Sequence, residues 1–144
     1  MLSPNVLVVL SDQQRPDSCG VFGQRLSVTP RLDALAADGV AFDEAFTVQP
    51  VCGPARAVLQ TGWYPTTTGC WRNGIALPVG TATLADHMAA LGYQTGYIGK
   101  WHLADRDPGP AEQRGGCQTW LAANLLEFCS DAYETVLYDN DEQA

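Results

Sequence analysis

Val6-Leu7-Val8-Val9-Leu10 is an unbroken β-branched and aliphatic run, the pattern of a strand buried on both faces. A strand covered on both faces belongs inside a mostly parallel sheet with helices on either side, so this segment narrows the fold sharply. Residues 29–39 then read as a helix, with Thr29 as N-cap, Pro30 at the first helical position, apolar Leu32, Leu35 and Ala36, and a terminal Gly39. Residues 83–92 repeat that punctuation and lead into an expected strand over 93–98. A short strand is expected between 40 and 47, a helix over 54–61, loops over 66–80 and 105–116, and a helix over 120–128. Strand alternating with helix predicts an α/β fold, a mostly parallel sheet flanked by helices.

The chain of 144 residues is long enough for one domain with a core. Its net charge of -8 is unevenly spread, because no Lys or Arg follows Arg114 while Glu127, Asp131, Glu134, Asp139, Asp141 and Glu142 do. That acidity argues against nucleic acid or an anionic membrane as partner. It does not exclude an anionic substrate, which responds to the local field of its site. Five cysteines without a C-x-x-C pair indicate neither a zinc motif nor a disulfide framework. With no leader pattern and no apolar stretch long enough to span a bilayer, cytoplasm is the expected location.

Cys52-Gly53-Pro54-Ala55-Arg56-Ala57-Val58-Leu59-Gln60-Thr61-Gly62 carries the most chemistry. Pro54 is placed to open a helix and Gly62 to close it. Cys52 therefore sits at a helix N-terminus, where amide groups and the helix dipole favour an anion. Arg56, one turn along, can fork onto a tetrahedral oxyanion. The plain alternative is that Cys52 is a small buried hydrophobe. A thiol phosphatase is disfavoured, since its loop needs more residues between Cys and Arg.

In open parallel sheets, ligands gather beyond the carboxyl ends of the strands. Ser11-Asp12-Gln13 follows the first expected strand, and Gly99-Lys100-Trp101-His102 a later one. Asp12, read by itself, caps a turn after the first of these strands. Lys100 is the sole lysine of the chain. In an extended segment Lys100 and His102 would face one way while Trp101 packs the other. His102 could equally be a satisfied structural histidine, a description that suits His87 better. Asn73, in Asn73-Gly74, reads by itself as a turn residue.

Cys-x-Pro-x-Arg followed by Thr-Gly resembles the motif of the type I sulfatases, and the stretches around Asp12 and Lys100 are similar to two further family motifs. The resemblance implies an alkaline-phosphatase-like α/β fold and hydrolysis of a small-molecule sulfate ester. It implies that Cys52 is oxidised to formylglycine by a dedicated cysteine-oxidising enzyme, and that Asp12, Gln13 and converted Cys52 hold a divalent metal, Ca2+ first, with Mg2+ or Mn2+ as alternatives. Cys52, Arg56, Lys100 and His102 would be catalytic, with Asn73 and Lys100 on the substrate. Gln13 replaces the commoner second aspartate, which keeps a phosphonate or phosphate ester hydrolase in view. The family's second metal-ligand set lies farther along than this chain reaches, and Asp139-Asn140 comes too early to supply it. Residues 1–144 therefore read as the N-terminal part of a truncated catalytic domain, with a non-catalytic remnant as the remaining alternative.

Overall fold

Gly62 ends the helix that begins at Cys52: its φ of 70° is left-handed and its N–H donates to the Val58 carbonyl, a closure a glycine makes without strain. The computed structural model describes residues 3–26, 28–127, 131 and 133–143. The chain divides into two units, residues 1–46 and 47–144.

The first unit contains α1 (Pro30–Asp38), the helix expected there. Thr29 stands at its N-cap without a side-chain capping bond. Its hydroxyl instead accepts the Gly20 N–H at 2.9 Å, and Asp33 accepts the Val21 N–H at 2.8 Å. These bonds clasp the single-turn helix at Gly20–Phe22 to α1. Two expectations fail here. Residues 6–10 form no strand and are exposed, Leu7 to 87% and Val9 to 81%. Residues 40–47 form none either. A strand buried on both faces needs paired edges and covering layers, and the strands of the described sheet all belong to the second unit.

In the second unit α2 (Cys52–Thr61) is followed by the single turn α3 (Pro65–Thr68) and by α4 (Leu84–Ala90). Helix α4 starts with a reciprocal cap, Thr83 and Asp86 each accepting the other's backbone N–H. His87 is exposed on this helix, which corrects the idea that it is a satisfied core histidine. The strands are β1 (Gly96–Lys100), β2 (Thr119–Ala123), β3 (Tyr138–Asp139) and β4 (Glu142–Gln143), in that spatial order. β1 and β2 run parallel, in a register from Gly96 opposite Thr119 to Lys100 opposite Ala123. The other two pairings are antiparallel. The α/β class stands, with a small mixed sheet whose parallel part is one strand pair.

The helix expected over 120–128 is instead β2 and, as far as residue 127, a non-helical segment beyond it, while residue 128 lies outside the described residues. Trp120 and Ala122 alternate into the core with Trp101, Leu103, Ala57 and Cys70, and period-two burial is strand behaviour. Trp101 stands edge-on to Tyr97 and Trp120, with ring centroids 4.9 and 5.3 Å away. Gly115 is held at φ +58°, and a Cβ there would lie 2.7 Å from the Trp101 ring. No helix among the described residues is long and apolar enough to cross a membrane.

Candidate active site

Cys52 is the first residue of α2, and Val51 is its N-cap. Pro54 therefore occupies the third helical position, not the first. That position is tolerated for the same reason, because first-turn N–H groups have no partner within the helix. The amides at this helix start are nevertheless engaged. Gly53 N–H donates to Asn73 Oδ1 at 2.8 Å, Pro54 has none to give, and Ala55 N–H donates to the Val51 carbonyl at 3.0 Å. The Gly53 and Ala55 amides are therefore already occupied, which narrows the expected amide cradle for an anion. Asn73 holds the helix start through its carbonyl oxygen. A Cβ on Gly53 would stand 3.1 Å from that oxygen and 3.5 Å from the His102 carbonyl, so glycine lets three segments meet closely.

Arg56 is buried and faces β1. Its Nη1 donates to the Lys100 carbonyl and, at 3.2 Å, to the Tyr97 hydroxyl. The Tyr97 hydroxyl also donates to the Lys100 carbonyl. A cation on α2 thereby fixes the backbone of the residue that ends β1. Burial pushes the Tyr97 phenol above its ordinary pKa, against an opposing pull from Arg56.

Lys100 and His102 are both buried and both face Glu127. The Lys100 ammonium makes an ion pair with Glu127 Oε1, and His102 Nδ1 lies 3.9 Å from the same oxygen. Trp101 packs the other way and donates its indole N–H to the Gln113 carbonyl at 2.9 Å. The convergence of Lys100 and His102 was expected from a continuous extended segment. It arises instead from a left-handed backbone at His102, φ 62°, which turns the chain after β1 ends. A non-glycine residue held there is strained, and such residues concentrate at functional sites. Beyond the turn, Asn124 holds both the N–H and the carbonyl of Ala104 at 2.9 and 2.8 Å.

Cys52 Sγ, a ring nitrogen of His102 and a carboxylate oxygen of Glu127 lie within 4.8 Å of one another. Sequence reasoning missed Glu127 because it counted 120–128 as helix. Recognised as a strand parallel to β1, β2 would have put Glu127 beyond a carboxyl end, beside Lys100. Cys52, Arg56, Asn73, Lys100 and His102 are therefore gathered in one unit. Asp12 and Gln13 belong to the first unit, where both are exposed and Gln13 has φ 59°. As donors they offer carboxylate and amide oxygens, which fit a hard cation.

Comparison with known proteins shows what the chain is similar to. The family model described as sulfatase matches residues 4–143. An ulvan-active sulfatase of Formosa agariphila is 43% identical over 141 residues, covering 96% of this chain and 27% of its own. Human arylsulfatase A is 37% identical over 106 residues, covering 69% of this chain and 21% of its own. A Bacteroides fragilis structure assigned as the sulfatase yidJ superposes with a TM-score of 0.76 at 25% identity, covering 95% of this chain and 38% of that one. The chain thus spans about a quarter of the length of the curated relatives it matches.

Proposed function

The chain belongs to the sulfatase family, and from that premise we propose that residues 1–144 are the N-terminal portion of a catalytic domain that hydrolyses small-molecule sulfate esters. The observation that carries the reading is the meeting of half-buried Cys52 with buried Lys100 and His102 around Glu127, with Arg56 holding the Lys100 carbonyl. The named relatives are sulfatases, which does not favour the phosphonate or phosphate reading raised by Gln13.

Cys52 is proposed to be converted by a cysteine-oxidising enzyme into formylglycine, which supplies an aldehyde hydrate as nucleophile. Lys100 would present its ammonium to a sulfate oxygen, exchanging the Glu127 carboxylate for the substrate anion. A buried cation facing developing charge is worth more than one in water. His102 would hold or accept a proton at the hydroxyl derived from Cys52. Arg56 keeps Lys100 in place through the Lys100 carbonyl, and its contact with the oxyanion is part of the proposal. Asn73 holds the start of α2, with substrate contact a further proposed role. Asp12 and Gln13 would give oxygen ligands to a divalent cation, with Ca2+ the first candidate. When bound, that cation would draw charge from a sulfate oxygen.

The test is co-expression with the oxidising enzyme, followed by peptide mass mapping and an aryl sulfate assay. Conversion removes sulfur and two hydrogens and adds one oxygen, so the Cys52 peptide should lose about 18 Da. Aryl sulfate turnover should appear with conversion and vanish in Cys52→Ala. A Cys52 peptide that keeps its thiol mass, or turnover that survives Cys52→Ala, would overturn the proposal.

A further inference from the structure

Glu127 has no role in the sequence motifs, yet it closes a donor set of a different kind from the hard oxygens of Asp12 and Gln13. We propose that, while Cys52 is still a thiol, the chain binds one thiophilic divalent cation, Zn2+, through Cys52 Sγ, a His102 ring nitrogen and the Glu127 carboxylate. The three donors come from the start of α2, the left-handed turn after β1 and the segment beyond β2, and they already lie within 4.8 Å of one another. In tetrahedral zinc sites with bond lengths near 2.0–2.3 Å, neighbouring ligand atoms stand roughly 3.3–3.8 Å apart. Closing the triad on an ion therefore needs a contraction of about 1 Å, within reach of side-chain torsions.

A second observation points to a ligand. Glu127 Oε2 is buried and has no hydrogen-bond partner among the described residues, an arrangement native structures rarely leave unmet. Oε1 is engaged by Lys100, so the proposal assigns the metal to Oε2. One sulfur, one nitrogen and one oxygen suit zinc, whereas calcium requires six or more oxygens. Binding is a simple exchange: the Cys52 S–H bond breaks, a sulfur–zinc bond forms, and the proton goes to solvent. Water would take the fourth position. The proposal is independent of the sulfate-ester reading, because it concerns the thiol and not the aldehyde.

The test uses the whole chain expressed without the oxidising enzyme, so its outcome is separate from that of aldehyde conversion. Zn2+ is titrated against a chromophoric chelator, and Co2+ serves as the spectroscopic probe. One equivalent of Zn2+ should bind, and Co2+ should show near-ultraviolet thiolate-to-metal absorption that Cys52→Ser abolishes. Glu127→Gln should weaken Zn2+ binding by roughly tenfold or more, on the scale seen when metal-site partners are removed. In the unmutated chain, saturating Zn2+ should slow iodoacetamide alkylation of the Cys52 peptide by at least about tenfold, since the metal-bound thiolate is masked. Ca2+ should leave that rate unchanged. Co2+ bound without a thiolate band, equal alkylation with and without Zn2+, or Glu127→Gln binding as tightly as the parent would each overturn the proposal.

Discussion

Replacing Arg56 with methionine should loosen the corner that holds Lys100 without opening a cavity. Arg56 is 7% exposed, and its Nη1 donates to the Lys100 carbonyl and the Tyr97 hydroxyl. Hydrogen bonds from a charged donor contribute about 1.5–3 kcal/mol each. Part of that is returned, because methionine keeps much of the apolar stem and removes the cost of burying a cation. The Lys100 carbonyl also keeps the Tyr97 hydroxyl as donor, so no orphan acceptor is left. The expected net loss is about 2 kcal/mol. Urea unfolding followed by tryptophan fluorescence should show it, since Trp101 and Trp120 are buried in the same core. Amide exchange gives a local reading at the Trp101 N–H, which pairs with the Ala123 carbonyl at 2.8 Å. Its protection should fall by roughly thirtyfold. In a double-mutant cycle, Arg56→Met and Tyr97→Phe should couple by about 1 kcal/mol, because each removes one end of a shared bond. A loss below about 0.5 kcal/mol with strict additivity would refute the bracing role of Arg56.

Gly115→Ala should destabilise the second unit by about 2–4 kcal/mol in a urea titration, since it combines a left-handed backbone with a Cβ 2.7 Å from the Trp101 ring. Asn124→Ala strips the buried Ala104 N–H and carbonyl of their partners, and a loss of about 2–4 kcal/mol is expected in the same assay. Burial, reinforced by Asp86, pushes the Cys117 thiol up to about 11 from an ordinary 9.0. The folded chain therefore holds that proton more tightly, and the associated stability is complete below pH 9 and lost as the pH rises towards 11. Urea midpoints measured across that window should decline, and less steeply in Cys117→Ala. An equal decline in both proteins would remove Cys117 as a cause.

Local signals fixed the elements whose ends carry their own chemistry. Proline and glycine punctuation located α1, the Thr83–Asp86 cap located α4, and Gly62 ended α2 where expected. The cysteine, arginine, lysine and histidine of the site were legible because their residue types and spacings are tied to one chemistry. Residues 6–10 were not legible in the same way: strand formation depends on neighbours, and the described residues of the first unit supply no paired edge. Residues 119–123 misled for the converse reason. Their short apolar run is equally compatible with a helix until pairing with β1 imposes a period of two.

What the chain by itself determined is a repertoire, namely a helix opened close behind a cysteine, a lone lysine two residues before a histidine, and the turns that break them apart. Tertiary structure alone decided that Arg56 braces Lys100, that Asn73 clasps the start of α2, and that Glu127 meets Cys52, Lys100 and His102. Those contacts join residues up to 75 positions apart, from Cys52 to Glu127. No local preference encodes such distances, because they depend on which strands pair and on a left-handed turn at His102 that only the surrounding packing makes worth its strain.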